Sequence, residues 1–259
     1  MTEGWVDVGG GRLWYEREGE GFPVVLLHPG LWDSRIWDEQ FEEFSHHHDT
    51  IRYDLRGSGR SDPPRGRYSD LRDLRTVLDD LHVDRFAVVG CGSGGSLAID
   101  AALAFPGSID AIVPVAPGLS GYEWQDSGLQ ALAQEVGVAV RAGELRRAME
   151  IELAVWAPLS AADAQVHEIA MDNTAVLVTD EPLAESPPSA VSRLVDIEAA
   201  TLVVVGDRDL AEVHAIADLI VRSIPGAQKR VVADADQLVN VRKPEKFNRL
   251  VLDFLSFRI

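Results

Sequence analysis

The sequence predicts an α/β protein in which a mostly parallel sheet is flanked by helices on both faces. Two observations lead there. Short β-branched runs alternate with amphipathic stretches along most of the chain. From Val24 onward the runs are nearly unbroken in hydrophobicity, as suits strands buried on both faces of a parallel sheet. Hydrophobic residues at 46% and charged residues at 25% of 259 positions supply a sizeable core without staples.

In chain order, "RLWYERE" (12–18) reads as a strand at the front. "VVLLH" (24–28), "TIRYDL" (50–55), "RFAVVG" (85–90), "AIVPVA" (111–116), "TLVVVG" (201–206) and "KRVVAD" (229–234) read as the strands that follow. Helices are predicted over Ser69–Leu81, Gly94–Phe105, Ala211–Ile224 and Pro244–Phe257. In the first of these, Leu71, Leu74, Val77, Leu78 and Leu81 keep the three-and-four spacing of a helix that buries one side. Residues 120–195 break the rhythm. They hold no good strand, carry Trp124 and Trp156, and read as several helices ending in "ESPPSA". The expected organisation is a core of residues 1–119 and 196–259, with residues 120–195 as a helical cap inserted between core strands. Such a cap would cover the sheet's carboxyl edge, where open α/β sheets bind ligands.

Composition narrows the partners. The single cysteine, Cys91, excludes a disulfide framework and a cysteine-rich metal site, and it reads as a small core residue. No apolar run approaches the roughly 20 residues of a membrane span, and no basic-then-apolar signal opens the chain. The expectation is a cytoplasmic protein. A net charge of −18 argues against nucleic acid and anionic membranes as partners and leaves a small-molecule substrate or ligand. Consecutive His46–His48 do not converge on one ion and read as a surface loop. No metal site and no cofactor are implied, and the oligomeric state is not fixed by the sequence.

The stretches "VVLLHPGLWDSRIW", "IRYDLRGSGRSDPP", "VVGCGSGGSLAIDAALAFP", "TLVVVGDRD" and "VRKPEKFNRLVLDFL" follow one another as in the α/β-hydrolase superfamily. The chain resembles its small esterase-like, lactonase-like and C–C-bond hydrolase members. The resemblance implies the α/β-hydrolase fold: a nucleophile on a strand-to-helix elbow, an acid after a later strand and a histidine before the last helix. Family members read V-G-H-S-x-G-G at the elbow, with a proline fourteen positions after the serine. Val89-Gly90-Cys91-Gly92-Ser93-Gly94-Gly95 matches, and Pro106 lies fourteen positions after Gly92. Gly92 therefore occupies the nucleophile position, and it has no side chain. The family histidine stands seven positions before a proline; seven before Pro244 is Gln237, which takes up no proton near neutral pH. Asp209, in "GDRD", keeps the place of the acid.

A register shifted by one residue makes Ser93 an alternative nucleophile, between Cys91 and Gly95. Without a base, however, a serine stays protonated and reacts poorly. "HPG" (28–30) matches the oxyanion loop, so Gly30 and the N–H of Ser93 are the expected oxyanion donors, with His28 and Trp32 as substrate-binding candidates. Trp37 reads as core and "DLRGSGRSD" (54–62) as structural. His167, in the cap, is a candidate to reach the pocket. Asp234 and Asp236 raise the pKa of Asp209 if they lie close, and the surface is their expected place. Three functional classes stay open. One is a non-covalent lyase, cyclase or isomerase acting through the oxyanion hole, with Asp209, its pKa raised under the cap, as general base. Another is a non-catalytic ligand-binding or scaffolding pseudohydrolase. The third is a genuine hydrolase using Ser93.

Overall fold

The computed structural model describes residues 1–178 and 183–258, so the part of the expected cap at residues 179–182 and the last position of the expected core, 259, lie outside the described residues. Eight strands form one sheet: β1 (Thr2–Val8), β2 (Gly11–Glu18), β3 (Pro23–Leu27), β4 (Asp49–Tyr53), β5 (Phe86–Cys91), β6 (Ile109–Val115), β7 (Ala200–Gly206) and β8 (Gln228–Val232). Their order is β1-β2-β4-β3-β5-β6-β7-β8. The β1/β2 and β2/β4 pairs are antiparallel and all others parallel. β3, β4, β5 and β6 are buried along almost their whole length; β3 and β5 achieve this with apolar runs, while β4 buries Asp49 and Arg52 paired with Arg17 and Glu16.

Helices α1 (Asp38–Ser45), α2 (Asp70–Asp80) and α3 (Ser93–Ala104) accompany the first half of the sheet. Between β6 and β7 come α4 (Ser127–Arg141), α5 (Leu145–Trp156) and α6 (Ala164–Asp172), which form the helical cap. α7 (Ala211–Ser223), the short α8 (Val239–Arg242) and α9 (Pro244–Ser256) complete the chain. Two apolar clusters build the core. One gathers Leu74, Leu78, Val88, Ile99, Val203 and Ile216; the other gathers Leu26, Trp37, Val89, Val113, Val204 and Phe247. Trp37 is fully buried, in keeping with its reading as core.

Three elements escape the sequence reading: β1, α1 and the four-residue α8. In β1 only Val6 and Val8 are buried, which leaves too few inward residues for a strand pattern. α1 is eight residues long, six of them acidic or polar, and it buries Gln40, Phe41 and Phe44.

The topology fixes where a ligand fits. The chain runs from β3 outward to β4, then returns to place β5 on the other side of β3. The sheet's switch point therefore lies at the carboxyl ends of β3 and β5, where a crevice opens. The oxyanion loop leaves β3 there, and the Gly92 turn leaves β5.

Candidate functional site

The turn after β5 is made by its glycines. Gly92 has φ 55° and ψ −115°, a conformation that costs any residue with a β-carbon. A β-carbon on Gly90 would lie 2.1 Å from the Gly94 carbonyl oxygen, and one on Gly94 2.3 Å from that of Leu27. These contacts let α3 start directly against β3 and β5. The strained position is Gly92, while Ser93 is already the first residue of the helix. This geometry favours the register that sets Gly92, rather than Ser93, at the tip of the elbow.

A cavity of about 280 Å³ opens beside that turn, lined by Gly30, Trp32, Gly92, Ser93 and Gln237 and by Trp124 and Trp156 from the cap side, among others. Trp124 and Trp156 meet edge to face, 5.9 Å apart at 88°. Both were visible in the sequence as cap tryptophans, but nothing there marked them as pocket wall. Trp32 is almost fully buried, and its indole N–H donates to the Val166 carbonyl of α6 at 3.1 Å, so this wall is also a strut to the cap.

Hydrogen-bond donors gather on one side. Among the described residues, the backbone N–H groups of Gly30, Leu31 and Ser93 have no backbone acceptor, and all three residues line the cavity. For Ser93 this follows from its place in the first turn of α3, where N–H groups lack intrahelical partners and the helix dipole is positive. The Ser93 hydroxyl is exposed and lies 3.3 Å from where a β-carbon on Gly30 would stand, so the two loops face each other across the cavity rim.

Gln237 lines the same cavity beside Gly92. It is 7% exposed, its amide nitrogen lies 2.8 Å from the place of a Gly92 β-carbon, and its Oε1 is buried without a partner. Its backbone carbonyl accepts from the Cys91 thiol at 3.5 Å. Cys91 is fully buried; burial pushes its thiol well above the usual range, as expected of a core residue. Asp209 stands behind this wall rather than on it. Its Oδ1 accepts from the Leu210 N–H at 2.8 Å, and its Oδ2 is buried and unpartnered. Burial pushes its carboxyl up to about 7; the Leu210 N–H draws it down and the charge of Asp236 adds to the rise.

Three residues sit elsewhere than the sequence suggested. His28 does not line the cavity. It is fully buried, with Nδ1 3.0 Å from the Pro29 carbonyl and Nε2 accepting from the Leu55 N–H at 2.9 Å. Both ring nitrogens therefore brace the oxyanion loop, and none is left for a substrate. Asp236 is not on the surface; Asp234 is, at φ 55°. Fully buried, Asp236 accepts from the N–H groups of Leu159 and Ser160 at 2.8 and 2.9 Å and from the Ser160 hydroxyl at 2.6 Å. It thus clamps the Gln237 loop to the end of the segment following α5. His167 pairs with Glu150 at 3.0 Å on the cap and does not line the cavity.

The "DLRGSGRSD" loop has a structural task. Asp54 accepts from the Ser34 N–H at 2.9 Å and the Arg60 N–H at 2.8 Å, and Gly59, at φ 53°, leaves room for that carboxylate. Asp33 and Asn173 bond at 2.8 Å, and Asn173 also accepts from the Gly59 N–H, tying the end of α6 to the oxyanion loop. None of the described helices is long and apolar enough to cross a membrane.

Comparison with known proteins extends this picture. A putative 2-succinyl-6-hydroxy-2,4-cyclohexadiene-1-carboxylate synthase of Bacillus subtilis (strain 168) is 24% identical, over 90% of each chain. A putative carbamate hydrolase, RutD, of Azorhizobium caulinodans is 26% identical, over 95% of this chain and 96% of its own. Among solved structures, Est816, described as an N-acyl homoserine lactone degrading enzyme, superimposes with a TM-score of 0.77 at 29% identity, over 97% of this chain and 100% of its own. The enol-lactonase of Burkholderia xenovorans LB400 reaches a TM-score of 0.83 at 22% identity, over 98% and 100%, a likeness of fold alone. Residues 24–250, from β3 through most of α9, match the alpha/beta hydrolase family, and the chain belongs to it.

Proposed function

We propose that this protein has lost the Ser–His pair of its family and binds a small carbonyl-containing molecule under the cap, acting on it without a covalent step. The chemistry is lyase-, cyclase- or isomerase-like. The ligand's carbonyl oxygen accepts from the N–H groups of Ser93 and Gly30, and the polarised carbonyl acidifies the neighbouring C–H or stabilises an enolate. Asp209 is the retained acid behind the site. The observation that carries this reading is the gathering of unpartnered N–H groups in a cavity where Gly92 presents no nucleophile and Gln237 no base. The domain division into a core and a cap of residues 120–195 belongs to the same proposal, with the tryptophan-lined cavity between the two.

Two observations keep other readings open. No side chain lining the cavity titrates near neutral pH, which favours a non-catalytic ligand-binding protein. The exposed Ser93 hydroxyl at the rim favours a genuine hydrolase, in line with the names of several relatives.

A thermal-shift screen of carbonyl-containing metabolites, followed by mass spectrometry of the stabilising ones, separates the three. Conversion that survives Ser93→Ala but is lost in Ser93→Pro supports the non-covalent enzyme. Proline at the first position of a helix is tolerated; it removes the N–H together with the hydroxyl that Ser93→Ala already removes, so the comparison of the two variants isolates the N–H. Stabilisation without conversion supports the binder. Loss of turnover in Ser93→Ala, with fluorophosphonate labelling of the wild type at Ser93, supports the hydrolase.

A further inference from the structure

Gln237 carries an inference that rests on the proposed function and narrows its substrate class. Its side chain is more than nine-tenths buried and lines the cavity, and among the described residues neither end of its amide has a hydrogen-bond partner. A buried amide left unpaired costs about 1–3 kcal/mol, and folded proteins seldom carry that cost without a use for the group. Nothing in the packing asks for it. The contact at Gly92 needs only a side chain of this length, which methionine or leucine would supply without polar atoms.

The placement is specific. The unpartnered N–H groups of Gly30, Leu31 and Ser93 and the Gln237 amide all line this one cavity. The N–H groups only donate, whereas the amide offers a carbonyl oxygen as well as an NH₂, and a half-turn of its terminal torsion exchanges the two. The Gln237 amide nitrogen lies 2.8 Å from the place of a Gly92 β-carbon, and Gly92 precedes Ser93 directly, so a ligand carbonyl seated on the Ser93 N–H has its substituent within reach of the amide.

We infer that Gln237 reads an N–H attached to the ligand's carbonyl carbon, so that the site takes primary or secondary carboxamides in preference to esters, ketones and tertiary amides of the same shape. The carbonyl oxygen accepts from the backbone donors while the amide N–H donates to Gln237 Oε1. An ester or a tertiary amide fills the same volume but leaves Oε1 unpaired. Sites built to bond a polar hydrogen reject analogues that lack it more strongly than apolar pockets reject a missing methylene.

The test uses four matched probes: phenylacetamide, N-methylphenylacetamide, methyl phenylacetate and N,N-dimethylphenylacetamide. Their affinities for the wild-type chain are measured by calorimetry or ligand-observed NMR. The two N–H-bearing amides should bind about tenfold or more tighter than the other two. Gln237→Met should close that gap by weakening the amides, and Gln237→Glu, which keeps an acceptor, should retain part of it. Ser93→Pro should weaken all four alike. Equal affinities in the wild type, or a gap that persists in Gln237→Met, overturn the inference while the Ser93→Pro effect leaves the underlying reading in place. Binding of none of the four, or binding indifferent to Ser93→Pro, overturns both.

Discussion

Gly92 and Gln237 compete for one volume: a β-carbon on Gly92 would stand 2.8 Å from the Gln237 amide nitrogen and 3.1 Å from the Pro29 β-carbon. The glycine and the glutamine are therefore sterically coupled. Each residue fits because of what the other is. A side chain at position 92 must displace Gln237, and its backbone, at φ 55°, resists any β-carbon on its own account.

Gly92→Ala should therefore destabilise the protein by about 1–3 kcal/mol in denaturant unfolding. Combined with Gln237→Ala, the steric part should disappear and the backbone part remain, so the double variant loses less than the sum of the singles. Strict additivity would show that the two side chains do not meet.

A double replacement tests the proposed register. On that register, Gly92→Ser with Gln237→His places a serine, a histidine and Asp209 at the family's three positions. Weak turnover of activated short esters should follow, with far less from either single change, because such residues act as a unit. Asp236 holds the loop that carries residue 237, and it favours a well-placed histidine. A folded double variant that takes up no fluorophosphonate would contradict the assignment of at least one position.

Asp209 makes stability depend on pH. Its carboxyl is pushed up to about 7 by burial, far above its value in the unfolded chain, so the native state holds the proton more firmly. That contribution is fully present below about pH 4 and is lost as pH rises through about 7, on the order of a few kcal/mol in all. Asp70 and Asp100, both pushed up to about 6 chiefly by burial, act in the same direction. Asp209→Asn should flatten the decline in unfolding free energy between pH 5 and 8 and leave a smaller slope from the other two. An unchanged slope would show that Asp209 is solvated.

If Asp209 also takes part in turnover, Asp209→Asn should reduce conversion of an identified substrate about 10²–10⁴-fold with little change in affinity. A purely structural acid would alter stability and leave the rate alone.

The clamp at Asp236 gives a further expectation. Removing its carboxylate orphans the N–H groups of Leu159, Ser160 and Leu238 and the Ser160 hydroxyl, so Asp236→Ala should cost about 3 kcal/mol or more, and Asp236→Asn, which keeps an acceptor, less. Limited proteolysis should then cut the variant near residues 157–160 before the sheet opens. Unchanged resistance to cleavage would separate Asp236 from the attachment of the cap.

The strands of the inner sheet were legible because burial on both faces demands unbroken apolar runs, and Val24–Leu27 and Phe86–Cys91 contain nothing else but a glycine. β1 was not legible, because an edge strand that buries Val6 and Val8 alone has almost no pattern. At the site, spacing singled out Gly92 and Gln237, and both line one cavity; their triad assignment belongs to the proposal. Spacing could not show where buried polar groups find partners. His28 looked like a binding residue until both its nitrogens were seen to be engaged, and Asp236 looked solvated because its donors, Leu159 and Ser160, lie in a distant segment. The tryptophans at 124 and 156 carried no signal beyond their size; their edge-to-face contact, between residues 32 positions apart, makes them one wall of the cavity.

The central claim is that the Ser93 and Gly30 N–H groups hold a ligand carbonyl without forming a covalent bond to it. Isotope-edited infrared spectroscopy of phenylacetamide labelled with ¹³C at the carbonyl, bound to the wild-type chain and to Ser93→Pro, tests it most directly. The carbonyl band should lie at lower frequency in the wild-type complex than in water, the shift should be lost in Ser93→Pro, and the protein mass should carry no adduct. A band unshifted from water, or a covalent adduct at Ser93, would contradict it.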